Sequence, residues 1–365
     1  MALVMACPRL LSAQQVVLQP DPTPVLQPAG LQGLLAPTYD RVFGLALPIG
    51  ATVTLASDRL ILEPRLTYRS RLGTIDPSVQ LLMGAPNGIR FEGYAGRGQR
   101  TNDAWNYSDL VNSALTLFDG LDTRNYFRSN GGVGRLFGRI DRPGLVLEPF
   151  IGGRYEQVSA IAATGNVWSA LGKTDVERIR RVNPLVDDGA ISSALIGAQM
   201  HDTSGVVLSR GRVELEQSVS TFSGTTNFTQ LTVDARVEFP TFKTQRLHFR
   251  AHAIATRGDS VPRARYGYLG GSGTLRVVEL EALGGSELLF LETRYLIPID
   301  AVLLPVIGIP VLTLRHAMGA AGVSTLPNLE QEIGAGLGLS ALHLDVSTDV
   351  ARKRGTKVSL GISLD

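Results

Sequence analysis

The sequence has little of what marks most enzymes or helical membrane proteins. Its single cysteine, Cys7, excludes an internal disulfide framework and any multi-cysteine metal site. Lysine occurs only at Lys173, Lys243, Lys353 and Lys357, and a net charge of +2 gives no electrostatic footprint for nucleic acid. Aromatic residues are only 6% of the chain. No run reaches the roughly 18 to 20 apolar residues that a membrane-spanning helix needs. The nearest, Ala301 to Leu312, is too short and holds Pro305 and Pro310. No phosphate-binding loop, zinc spacing or nucleophile elbow appears, so neither cofactor nor metal is expected. His201, Asp202 and Ser204 are neighbours beside Gly205 and read as a polar turn, because a catalytic triad is defined by geometry and not by adjacency. His248 and His252 share a strand face about 13 Å apart at 3.3 Å per residue, too far to ligate one metal together. The chain is therefore not expected to be an enzyme.

What the sequence does have is a period of two. Leu231, Val233, Ala235, Val237 and Phe239 alternate with Thr232, Asp234, Arg236 and Glu238. Leu247, Phe249, Ala251, Ala253 and Ala255 alternate with Arg246, His248, Arg250 and His252. The same pattern runs through Leu60 to Tyr68, Arg212 to Glu216 and Leu342 to Ser347. Successive strand side chains point to opposite faces, so each segment carries one apolar wall and one charged wall. The segments run about 9 to 14 residues, long enough to cross a bilayer at a tilt. Charges of both signs through mid-strand suit a lumen where they pair across neighbouring strands.

These features predict an all-β protein, a transmembrane antiparallel β-barrel. Fifteen strands are visible between residues 39 and 364; an even number is expected of a bacterial single-chain barrel, so sixteen is preferred and fourteen comes next. The missing strand is sought in 98–129, where Ser113 to Phe118 extends as a strand, or else forms a short helix capped by Ser108 or Asp109. Leu231, Val233, Val237, Leu247 and Phe249 should face lipid. Residues 1–14 read as a truncated signal segment, 15–37 as an extended linker rich in Pro and Gln, and 38–365 as the barrel. The basic cluster Arg178, Arg180 and Arg181 reads as part of a solvated loop.

Residues 265–279, RYGYLGGSGTLRVVE, stand on a long connection, and their glycines let the backbone fold tightly in a crowded space. This string resembles the inward-folded loop of the outer-membrane protein assembly factor and bacterial surface antigen superfamily (BamA/TamA-like C-terminal barrels), in its barrel-only form without POTRA repeats. Leu275 and Arg276 match the family's loop element, while Val277 and Val278 stand where it has glycine and an aromatic residue. Five strands after the loop is the family's number, and the resemblance spans about 39 to 365. It implies that 258–285 folds into the lumen, with Gly270, Gly271, Gly273, Leu275 and Arg276 as its motif. An arginine in a partly dehydrated lumen needs a carboxylate. Glu332 and Asp345 are the favoured partners of Arg276 and Glu292 is the next. The resemblance further implies a bacterial outer-membrane location and a role in inserting or translocating proteins. Its partners would be outer-membrane lipid, client outer-membrane proteins or a separate periplasmic chain. The alternative is a passive pore for small solutes, with the charged lumen setting selectivity.

Overall fold

The computed structural model describes residues 25–365 apart from 56–58, 86, 162–167, 171–180, 220–226, 301, 303–307, 340–341, 352 and 363–365. Residues 1–14 with Cys7, residues 15–24 of the stretch read as a linker, and Arg178 and Arg180 lie outside the described residues. One antiparallel sheet dominates. Its strands are β1 (Val25–Pro28), β2 (Thr38–Asp40), β3 (Gly44–Leu55), β4 (Leu60–Arg69), β5 (Thr74–Gly84), β6 (Arg90–Arg100), β7 (Phe127–Phe137), β8 (Ile140–Arg142), β9 (Leu145–Ser159), β10 (Gly189–Asp202), β11 (Leu208–Ser218), β12 (Asn227–Pro240) and β13 (Arg246–Ser260), followed by β16 (Glu287–Pro298), β17 (Val311–Gly322), β18 (Glu330–Leu339), β19 (Leu342–Asp349) and β20 (Thr356–Ile362). A separate two-stranded ladder, β14 (Gly267–Leu269) with β15 (Leu283–Gly285), lies within one loop, and among the described residues one α-helix, α1 (Asp109–Asp119), lies within another.

From β3 to β20 each long strand pairs with the next, the up-and-down order of a transmembrane barrel. The sheet's eighteen segments reduce to sixteen staves, because β8 continues β7 along β9, and β1 and β2 line the same edge of β3. The sixteenth stave is thus residues 25–40, not the 98–129 stretch. Part of the stretch read as a linker is paired: Val25 to Pro28 oppose Thr54 to Ala51, and Leu34 bridges Ile49. Within 98–129, Ser113 to Phe118 belongs to α1, whose N-cap Ser108 Oγ accepts the Val111 N–H at 3.3 Å and whose C-cap Gly120 takes φ 69°.

The period of two becomes two walls. Leu231 and Phe249 are exposed on the outside, with Val233, Val237 and Leu247 half-buried in the same rows. Ile49, Ile75, Ile151 and Ile196 continue this apolar outer surface round the sheet. The opposite face carries ion pairs from stave to stave, among them Arg90–Glu148 at 2.7 Å, Arg154–Glu216 at 2.7 Å and Arg69–Asp76 at 3.2 Å. In hydrocarbon every backbone N–H and C=O must find a partner within the protein, which favours a sheet closed on itself. Connections at one end are short, such as Pro143-Gly144, where Gly144 takes φ 75°. The opposite end carries the long loops 101–126, 160–188 and 261–286.

An arginine at Val233 is expected to destabilise the barrel by about 2 to 4 kcal/mol if it lies near the bilayer midplane. The urea midpoint of the vesicle-inserted protein measures this. An unchanged midpoint for Val233→Arg would contradict an outward, lipid-facing position.

Candidate functional site: the loops inside the barrel

Two loops meet on the inner wall of β13, β16 and β17. The 261–286 loop is pinched at its neck by the β14–β15 ladder. Its Leu275, Val277 and Val278 are buried in one apolar cluster with Ile254, Leu288, Phe290 and Ala317 from the wall. Val277 and Val278 thus supply apolar surface to a wall that is itself apolar at that height. Gly270, Gly271 and Gly273 all hold positive φ, at 125°, 80° and 89°. A Cβ on Gly270 would lie 2.0 Å from the Glu279 carbonyl, and one on Gly273 2.2 Å from Asn106 Oδ1. Both the turn and the contact between loops therefore require glycine.

The polar contacts fix the loop's register. Arg276 Nη1 lies 2.8 Å from Asp345 Oδ1 on β19. Glu332 and Glu292, the other two acids considered for Arg276, belong instead to Arg315 of β17. Arg315 stands between the two acid-bearing staves and reaches Glu292 on β16 at 2.5 Å and Glu332 on β18 on its other side. Its third contact is with the loop, to the Thr274 carbonyl, while Glu332 Oε2 accepts the Val277 N–H at 2.9 Å. Arg315, Glu292 and Glu332 are all buried. At the other side of the loop Arg265 forks onto Glu216 of β11, at 3.0 to 3.2 Å.

The 101–126 loop is the second half of the plug. Trp105 stacks on His252 at 4.0 Å with rings 8° from parallel, and Arg250 lies over its other neighbourhood at 4.6 Å from the ring centroid. Arg250 donates to the carbonyls of Trp105, Asn106 and Gly273, so one wall arginine holds both loops. Tyr107 and Ser272 share a hydroxyl hydrogen bond at 2.9 Å, and Asn102 donates to the Ala264 and Tyr266 carbonyls. Toward the first hairpin, Asp122 accepts the Arg41 N–H at 2.9 Å. Contacts from the first hairpin to β19 thus surround one plug.

Arg181 corrects the reading of its cluster as solvated. Its side chain is half-buried, pairs with Glu281 of the 261–286 loop, and donates to Asn125 Oδ1 and to the Asp122 and Arg124 carbonyls of the 101–126 loop. It therefore ties the 160–188 connection to both plug loops. Beside it, burial pushes the Asp103 carboxyl well above the ordinary aspartate range, and the Glu281 carboxylate adds to that shift. Burial likewise raises Glu281, against the opposing pull of Arg181. His201, Asp202 and Ser204 form a surface turn, with Asp202 Oδ1 accepting the Ser204 N–H and hydroxyl. Among the described residues no group of three or more metal-ligating side chains gathers.

No family model and no curated protein matches the sequence. Solved structures do. BamA from Haemophilus ducreyi lacking POTRA domains 1–3 superposes with a TM-score of 0.57 at 10% identity, over 88% of this chain and 67% of that one. CdiB from Acinetobacter baumannii gives 0.46 at 12% identity over 93% of this chain and 65% of that one. CdiB from Escherichia coli gives 0.48 at 10% identity, over 89% and 58%. The chain thus spans about two thirds of these structures or less. Its fold is that of the BamA barrel.

Two predictions follow from this geometry. Removing one member of a buried charge pair leaves the other uncompensated, at about 3 to 5 kcal/mol. Arg315→Ala should therefore lower the urea midpoint more than Arg276→Ala, whose site is less enclosed. A double-mutant cycle for Arg276→Ala with Asp345→Ala should give a coupling of about 0.5 to 3 kcal/mol, and strict additivity would contradict the pair. The second concerns pH. A carboxyl whose value is raised in the folded state favours its protonated form there. Docking is then firmest below the ordinary aspartate value and weakens as pH rises through the raised one. In a Trp168→Phe background, emission from Trp105 should report this loss, and Asp103→Asn should reduce it to the part that Glu281 contributes. A pH response identical in the Asp103→Asn variant would contradict the assignment.

Proposed function

We propose that the protein is a bacterial outer-membrane barrel that aids the insertion or translocation of other proteins, and that it works without catalytic chemistry of its own. The observation that supports this reading is the plug: two loops fixed across the inner wall, one by the Arg265–Glu216 and Arg276–Asp345 ion pairs and the other by hydrogen bonds from Arg250, in a barrel with the BamA fold. A pore for freely diffusing solutes gains nothing from filling its lumen with hydrogen-bonded backbone. Its partners are then membrane lipid and client outer-membrane proteins. A separate periplasmic chain is a further partner of this reading.

Planar-bilayer recording with the purified chain separates this reading from that of a passive pore. The wild type should hold a low baseline, and Arg181→Ala, which unties three loops at once, should raise it. Vesicles bearing the protein should also speed the folding of an added outer-membrane protein relative to empty vesicles. Steady ohmic conductance in the wild type, with no acceleration of folding, would establish the pore and overturn the proposal.

A further inference from the structure

The outer wall is not uniformly studded with side chains. Across six staves, hydrogen-bonded register places Leu62, Leu81, Gly93, Gly134, Gly153 and Ala194 side by side in one row. The row lies on the lipid-facing side, where Ile151 and Ile196 stand exposed two residues from Gly153 and Ala194. From Gly93 to Ala194 the row has almost no side chains, and the next row adds Ala95 and Gly132. The outcome is an apolar groove of about 810 Å³. The Phe91 ring lies across its glycine floor, within 3.0 to 3.2 Å of where a Cβ on Gly93 or Gly134 would stand. Tyr155 forms the opposite rim.

We propose that this groove binds one acyl chain of a membrane phospholipid as a seated ligand, distinct from the fluid lipid touching the rest of the wall. The groove is continuous with the lipid-facing surface, so hydrocarbon is the material available to fill it. Its size selects a chain over a protein segment: a transmembrane helix about 10 Å across and ~30 Å long fills well over twice the groove's volume. The one charged residue among the described lining is Arg154, and its guanidinium points to the lumen, where it pairs with Glu214 and Glu216. The floor therefore offers hydrocarbon contact alone, and the nearest outward cation, Arg97, stands four residues along β6 from Gly93, beyond the lining. A void in this wall otherwise forfeits the dispersion contacts its lining atoms would make, and a seated chain restores them.

The test uses the full chain in phosphatidylcholine vesicles doped with phosphatidylcholine bearing a photoreactive diazirine within one acyl chain. After irradiation, cross-links should concentrate on peptides covering 81–95 and 132–155, above those on the lipid-facing rows of β12 and β13. A Cβ on Gly153 meets only the Ser193 carbonyl, at 3.7 Å, so Gly153→Leu fits the backbone while filling the floor. Gly153→Leu should cut groove labelling several-fold and leave β12 and β13 labelling unchanged. Ala194→Leu is a second filler should the first fail to give a heat-modifiable band. Even labelling round the wall, or labelling insensitive to a folded filler variant, would mean annular contact only and overturn the proposal. Stronger capture of a diazirine-bearing lipid A acyl chain would overturn the assignment to a phospholipid.

Discussion

Arg315 is the point at which the barrel and its plug become one object. Its guanidinium joins β17 to β16 through Glu292, β17 to β18 through Glu332, and the wall to the loop through the Thr274 carbonyl. Glu332 then spends its other oxygen on the Val277 N–H. Charges this far from water are tolerated only when every partner is in place. Pulling the loop away would strip a carbonyl from Arg315 and an amide from Glu332 together. The loop's inward position is therefore imposed by the wall.

The other contacts extend that constraint round the circumference. Arg265 ties the loop's entry to Glu216 on β11, Arg276 ties its far side to Asp345 on β19, and Arg250 draws in the 101–126 loop through Trp105. Arg181 closes the set from the 160–188 connection. Each is a charge on an element of one loop or stave meeting an acceptor on another. A motion that empties the lumen must break several of them in concert, which favours two discrete arrangements over gradual loosening. The apolar patch beneath the loop, with Leu275 and Val278 against Phe290, adds a hydrophobic term to the docked state.

Much of the wall was legible because strands of this length write their two environments into alternate residues. Fifteen strands could be placed between residues 39 and 364, five of them by plain alternation. The first stave could not: residues 25–40 carry Pro28, Gly30, Gly33 and Pro37, and pair with β3 only in pieces, so no alternation survives. Ser113 to Phe118 misled for the opposite reason, since six apolar and small residues fit either period until the Ser108 cap is weighed. The site was partly legible. The glycines of 270–273 announced a tight turn, and Arg276 an acidic neighbour. Arg315 was hidden among many mid-strand charges, whose pairing depends on register. A usable signal was the run Leu288 to Leu291, apolar on both faces, which marks a stave covered on its inside as well as its outside. Arg181 had no signal in its own neighbourhood, because its partners lie 56 and 100 residues away.

The claim on which the account rests is that the 261–286 loop is docked against the inner wall in the resting protein. Amide hydrogen exchange on the vesicle-inserted chain measures this directly. Amides of Gly270 to Val278 should exchange as slowly as those of the flanking staves β16 and β17. Exchange as fast as that of the exposed turn at 203–207 would mean that the loop is not held, and would contradict the account.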